Sequence, residues 1–256
     1  MKVLFIGGTG NISTPSSRLA VKKGIDLYLL NRGSSSSEIA GTHTIIGDIN
    51  KPQDLPELKK QQWDVVVNWI AFTPEENFPI TIVRPSHTYD TVIPIAIGGF
   101  KEYTTADRII KGKEIIIHGD GTSLWTVTHA DDFALGFVGL LGLDKAIGHA
   151  FHITSDKILA NSLGYELNAV HIASDFICEV EPSYTGSLLA DKAESVLFDN
   201  TKIKTFVPEF KATIPFSVGI KRTLKWLDDH PEKKIINPES NRKIDHILAC
   251  YKKLFS

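Results

Sequence analysis

The chain has 256 residues, a formal charge of −2 and 42% hydrophobic residues, which is the profile of a globular protein of one large domain or two small ones. That balance demands neither nucleic acid nor a membrane as partner, and the longest apolar run, residues 133–143, falls far short of the roughly 20 residues that span a bilayer, so it reads as a buried helix. Cys178 and Cys250 are too few for a disulfide framework and no secretory leader pattern follows Met1, so a cytoplasmic setting is expected.

In chain order, Lys2-Val-Leu-Phe-Ile-Gly-Gly-Thr-Gly-Asn-Ile-Ser13 is an apolar strand running into a glycine turn and then a helix. The helix is expected over 17–23, stopping at Gly24, and a second over 52–61. Runs rich in branched residues predict strands at 3–6, 26–30, 43–46, 64–70 and 80–83. Continuous apolar runs of this kind suit parallel strands covered on both faces, so the fold class is α/β, a Rossmann-like doubly wound parallel sheet with a smaller C-terminal substrate lobe. From Gly98 the loops lengthen, and 114–118 with 124–128 predict a hairpin around Gly119-Asp120-Gly121, followed by a helix from Asp131.

The expected domain organisation is a cofactor-binding core over 1–97, a substrate-lobe insertion with the hairpin over 98–128, a return to the core over 129–160, and a substrate lobe with helical tail over 161–256. The tail has amphipathic stretches at 216–229 and 242–253; only 34–37 is low in complexity, and no internal repeat occurs.

The turn Gly7-Gly8-Thr9-Gly10-Asn11-Ile12-Ser13 follows a strand and opens a helix, the context that makes a glycine spacing informative. Gly7 allows the tight turn, and Gly10 lets the backbone approach a pyrophosphate resting on the positive helix N-terminus. Ser13 stands where a third glycine often sits. A ligand-free glycine turn is the competing reading. Asn31-Arg32 follows the second strand, where an acid would bind a ribose 2′-hydroxyl and a base would accommodate a 2′-phosphate. Arg32 therefore leans the cofactor from NAD toward NADP, against the alternative of a solvated arginine in a serine-rich loop. Asp48, with Ile49 beside it, is placed to accept a hydrogen bond from an adenine amino group or else to cap the following helix.

With these residues in view, the chain resembles the extended short-chain dehydrogenase/reductase family, in its NAD-dependent epimerase/dehydratase group. Besides the glycine turn, Gly47-Asp48-Ile49, Asp64-Val-Val-Val-Asn-Trp-Ile-Ala71, Ile82-Val-Arg-Pro-Ser86 with Tyr89, and Gly119-Asp-Gly121 through Thr128-His-Ala-Asp-Asp132 occur in family order. The resemblance implies a cofactor site of Gly7, Thr9, Gly10, Asn11, Ile12, Asn31, Arg32, Asp48, Ile49, Ala71, Pro85 and Ser86. It also implies a small-molecule substrate.

The chain departs from that family in three places. A strand and two helices carrying a serine and a Tyr-x-x-x-Lys pair are expected where Ala71-Phe-Thr-Pro-Glu75 runs directly into Glu76, and no tyrosine has a lysine four residues later. The loss removes the usual base and the cation that lowers its pKa, and it leaves the sheet short of one strand. A second shortening is expected at 158–164. Trp125 stands where an arginine grips a nucleotide diphosphate, which argues against a nucleotide-sugar substrate; core packing and a stacking contact are its two readings.

His87, Tyr89 and His129 are substitute catalytic candidates, with helix capping as the competing role of His129 and a wall role that of Tyr89. Three functions follow: an epimerase, dehydratase or reductase on a sugar-like or small carbonyl substrate; a non-catalytic dinucleotide-binding protein; and an RNA-binding relative. The third is disfavoured because the Lys/Arg pairs at 233–234, 242–243 and 252–253 are flanked by acids. No metal-ligand spacing occurs, and homo-oligomerisation is left open.

Overall fold

The computed structural model describes residues 1–33, 38–51, 53, 55–70, 79–156, 158–159 and 168–256. The serine run 34–37, residues 71–78 where the first shortening is expected, and 160–164 of the second expected shortening lie outside the described residues. In chain order the elements are β1 (Lys2–Ile6), α1 (Ser13–Lys22), β2 (Asp26–Asn31), β3 (His43–Ile46), α2 (Pro56–Lys59), β4 (Val65–Asn68), β5 (Ile82–Pro85) and β6 (His87–Tyr89). There follow α3 (Thr104–Ile110), β7 (Ile115–His118), β8 (Trp125–His129), α4 (Ala130–Leu140), β9 (Ala150–Ile153), β10 (Ile158–Leu159) and β11 (Ala169–Ile172). Helices α5 (Ser174–Val180), α6 (Thr185–Ser187), α7 (Thr201–Phe206), α8 (Phe216–Asp229) and α9 (Pro238–Lys252) complete the chain.

Two compact units form, one of Met1–Thr88, Thr128–Ser155 and Asp199–Thr213, the other of Tyr89–Val127, Asp156–Phe198 and Ile214–Ser256. In the first, a parallel sheet runs in the order β3-β2-β1-β4. Side chains alternate across it, as the two-residue period of a strand requires. Val3, Phe5, Leu27 and Leu29 enter a core with Phe133, Phe137, Phe151 and Ile153, while Leu4 and Leu30 pack on the opposite face with Leu55. Each such buried side chain stabilises by roughly 1.5–3 kcal/mol. Both faces of the inner strands β1 and β2 are thus covered, while Ile46 of β3 and Val66 of β4 stay exposed.

Helix α1 begins at Ser13, four residues before the expected start. Pro15 does not prevent this, because the amide it lacks lies in the first turn, where no intrahelical acceptor exists. Gly24, at φ +77°, ends the helix. The strand expected at 80–83 forms instead at Ile82–Pro85, in parallel register with Ala150–Ile153 of β9. Thr81 is tethered before it, its hydroxyl donating to the Ala146 carbonyl at 2.9 Å.

The contacts divide the chain differently from the expected domains. Asp199–Thr213, expected in the C-terminal lobe, belongs to the first unit, because Ile203, Val207 and Phe210 insert into its core. Two glycines of α4 admit them. A Cβ on Gly139 would lie 2.3 Å from Val207 Cγ1, and one on Gly136 would lie 3.1 Å from Phe210. The first segment of that unit ends at Thr88 rather than 97, since Ile93 and Ile97 serve cores of the second unit.

In the second unit the predicted hairpin does not form. β7 pairs in parallel with β11, and β8 pairs antiparallel with β10. Ile116 is drawn into a core with Ile172, Ile177, Leu188, Ile244 and Ile247, and that burial outweighs the local turn signal. Arg108, 2% exposed, ties α3 to α9 by donating to Asn241 at 2.9 Å and Asp245 at 2.7 Å, and it also donates to the Glu114 carbonyl at 2.8 Å. Among the described residues no helix is long and apolar enough to cross a membrane, and no group of three or more His, Cys, Asp or Glu is arranged to hold a metal.

Candidate cofactor cleft

In the first unit β1 has β2 on one side and β4 on the other, so the strand order reverses there and opens a crevice at the carboxyl ends. A cleft of about 260 Å³ lies at those ends, lined by Ile6 at the end of β1 with Gly7 and Thr9 after it, Leu30, Asn31 and Arg32 at the end of β2, Gly47 to Asn50 after β3, and Ile70 after β4. Of the expected site residues it brings together Gly7, Thr9, Asn31, Arg32, Asp48 and Ile49.

Backbone geometry explains why this turn needs glycine. Gly7 and Gly8 have φ of +96° and +113°, and a Cβ on Gly8 would approach Leu29 Cδ2 to 2.8 Å. Ser17, buried in α1, donates its hydroxyl to the Gly8 carbonyl at 2.9 Å. Oriented to satisfy its neighbours, the Asn31 amide donates to the carbonyls of Gly7 and Leu30, each at 3.2 Å. The end of β2 is thereby fastened to the turn. Asp48 Oδ1 accepts from the Asn50 backbone at 3.0 Å and its side-chain amide at 3.1 Å, closing a local turn in place of the looser helix cap.

The remaining described residues of the expected site lie outside the cleft lining. Gly10 donates its amide to Ser13 Oγ at 2.8 Å, and Asn11 donates its side-chain amide to the Thr88 carbonyl at 3.1 Å. Ile12 is the helical residue just before α1, and Pro85 ends β5. Ser86 shares a 2.9 Å hydrogen bond with Thr128, whose Oγ1 also accepts the Ser155 amide at 2.8 Å. Sequence reasoning missed Gly8, Ser17, Asn50 and Ile70. The first and third stand next to residues it did single out; nothing in the sequence marks Ser17 as the partner of Gly8.

Of the catalytic candidates, His87 is half-buried on β6. His129 is 2% exposed, and its Nδ1 accepts the Asp131 amide at 3.2 Å, capping α4. Tyr89 is fully buried, its ring 5.5 Å from that of Phe216.

In the second unit Trp125 packs against the ring of His118 at 5.4 Å and donates Nε1 to the Lys192 carbonyl at 3.3 Å. Lys192, itself buried and paired with Asp191, holds its ammonium 5.3 Å from the Trp125 ring. Burial, and then the Lys192 charge, hold the His118 pKa below its ordinary value.

Parallel strands in this order, carrying a glycine turn at the switch point, define a mixed α/β fold of the Rossmann type. Solved structures with that architecture are similar along nearly their whole length. An epimerase of Methanothermobacter thermautotrophicus matches with a TM-score of 0.66 at 15% identity, over 90% of this chain and 93% of its own. The UDP-glucuronic acid 4-epimerase of Bacillus cereus, solved with NAD, matches at 0.65 and 14%, over 91% and 98%. The UDP-glucose 4-epimerase of Thermotoga maritima, solved with UDP-glucose, matches at 0.64 and 13%, over 90% and 100%. At these identities the likeness is one of fold. No family model and no curated protein matches the chain by sequence.

Proposed function

We propose that the first unit binds a nicotinamide dinucleotide, NAD or NADP, at the carboxyl-end cleft. The observation that carries this reading is the convergence of Gly7, Thr9, Asn31, Arg32, Asp48 and Ile49 on one crevice at the switch point. The cleft suits the group: a glycine turn lets backbone approach a phosphate, and Arg32 and Asp48 offer a cation and an acceptor for the ribose and adenine ends. The NAD complex of the Bacillus cereus epimerase, alike in fold, supports it. A bound nicotinamide would supply a hydride acceptor or donor; this chain's own part is to bind and orient it.

The substrate read from the resemblance is a sugar-like or small carbonyl compound, handled as an epimerase, dehydratase or reductase would handle it. Binding without turnover is the second reading, favoured by specific observations. The sequence has no Tyr-x-x-x-Lys pair, Tyr89 is buried against Phe216, and His129 Nδ1 is committed to capping α4. RNA binding is weakened because Lys234, Arg242 and Lys252 pair with Asp228, Glu239 and Glu114.

The test is a fluorescence titration with NADH and NADPH, with a circular-dichroism melt on the same sample. Saturable binding to a cooperatively melting protein is expected, and a folded protein that binds neither nucleotide would end the proposal. A carbonyl-substrate screen on the loaded protein then separates the two readings: turnover favours the enzyme, and binding without it favours the non-catalytic role.

A further inference from the structure

Asp48 and Asn50 both line the cleft, on the segment that follows β3. The backbone beneath them is fixed. The Gly47 amide donates to the Asn31 carbonyl at 2.9 Å, the Lys51 amide donates to the Asp48 carbonyl at 2.9 Å, and a Cβ on Gly47 would lie 2.2 Å from Leu55 Cδ2. Asp48 Oδ1 accepts two N–H groups, both from Asn50: the backbone amide at 3.0 Å and the side-chain Nδ2 at 3.1 Å. Among the described residues no hydrogen bond is made to Asp48 Oδ2. The carboxylate is thereby held in one orientation, with one oxygen engaged by Asn50 and the other left for a donor.

We propose that Asn50 is a positioning residue for base recognition: by holding Oδ1 it fixes Asp48 so that Oδ2 accepts the exocyclic amino group of adenine and rejects a base with an oxygen in that place, as in hypoxanthine or guanine. The inference rests on the cleft being a dinucleotide site. A carboxylate only accepts, so against a carbonyl oxygen it meets another acceptor and both groups lose their hydrogen bond. Asp48 is half-buried and Asn50 is exposed, so packing alone does not fix the carboxylate. Without the Asn50 side-chain amide it would sample other rotamers and have to be ordered as the base arrives, a cost subtracted from the affinity for adenine. Asn50 thus acts on the base through Asp48.

The experiment titrates the full chain, Asn50→Ala, Asp48→Ala and the double variant calorimetrically with NADH and with its hypoxanthine analogue, which carries an oxygen in place of the adenine amino group, alongside thermal melts. The wild type is expected to prefer NADH about tenfold, the worth of one hydrogen bond to a charged acceptor. Asn50→Ala should cut that preference to about threefold or less by weakening NADH alone, and Asp48→Ala should abolish it. On the Asp48→Ala background Asn50→Ala should change neither affinity, because its route to the base is gone. If Asn50→Ala does not fold, Asn50→Ser carries the comparison. An unchanged preference in the folded variant overturns the inference and leaves the dinucleotide site standing, as does a wild type that binds both nucleotides alike. An equal loss for both nucleotides, or a further NADH loss on the Asp48→Ala background, also overturns it, since either would show Asn50 acting other than through Asp48. Failure of the wild type to bind either nucleotide removes the site and the inference together.

Discussion

Trp125 and Lys192 hold one another by two contacts, the indole N–H donating to the lysine's backbone carbonyl at 3.3 Å while the lysine ammonium sits 5.3 Å from the indole ring. The carbonyl contact anchors the π-helical turn Leu188–Lys192 to β8. Trp125 is thus part of the packing of the second unit. Trp125→Ala should destabilise the protein by about 2–3 kcal/mol, and Trp125→Phe, which keeps a ring, by about 1 kcal/mol. Urea denaturation measures both; equal losses would show that the ring contacts add nothing beyond the hydrogen bond.

His118 packs on the same indole, and its pKa is lowered by burial and by Lys192. The unfolded chain then binds the proton more readily than the folded one. Stability from this group is complete above the ordinary histidine value of 6.5 and is lost as pH falls through the depressed folded value. Taking the wild type from about pH 7.5 to about pH 5.5 should lower its urea midpoint more than that of His118→Phe, which keeps a ring and cannot titrate. Parallel pH profiles would exclude His118 as the source.

Gly8 has no room for a side chain and a backbone conformation that L residues rarely adopt. Gly8→Ala should cost about 1–3 kcal/mol through the strained φ and the contact with Leu29, and should weaken NADH binding by displacing the turn. A melt with an NADH titration checks it, and an unchanged melting temperature would show that the turn relaxes freely.

Arg32 tests the choice between the two cofactors. Arg32→Ser is expected to lower NADPH affinity about tenfold and leave NADH within about twofold, if the guanidinium pairs with a 2′-phosphate. An equal loss for both nucleotides would place Arg32 on a group they share.

The path from β1 through the glycine turn into α1 was legible in the sequence because it is local: an apolar run, residues suited to positive φ and a helix stop follow one another within 24 positions. Arg32 and Asp48 were legible for a related reason, since each follows a strand whose end is marked in the chain. The pairing of β7 was not, because its partner β11 begins 54 residues after β7 does, and no turn signal reports so distant a neighbour. The same holds for Asp199–Thr213, whose apolar residues fit either unit until the space left by Gly136 and Gly139 selects one.

By itself the sequence determined the fold class, the strand–turn–helix opening and the residue types at the cleft, because periodicity and backbone permissiveness are properties of short segments. Only the tertiary structure decided which of those residues meet. It gathered Gly7, Asn31, Arg32 and Asp48 around one crevice, turned the Gly10 amide onto Ser13, and gave His129 the end of a helix to cap. Those outcomes depend on parallel strand order and on close packing between segments far apart in the chain, and neither is written in any local stretch of it.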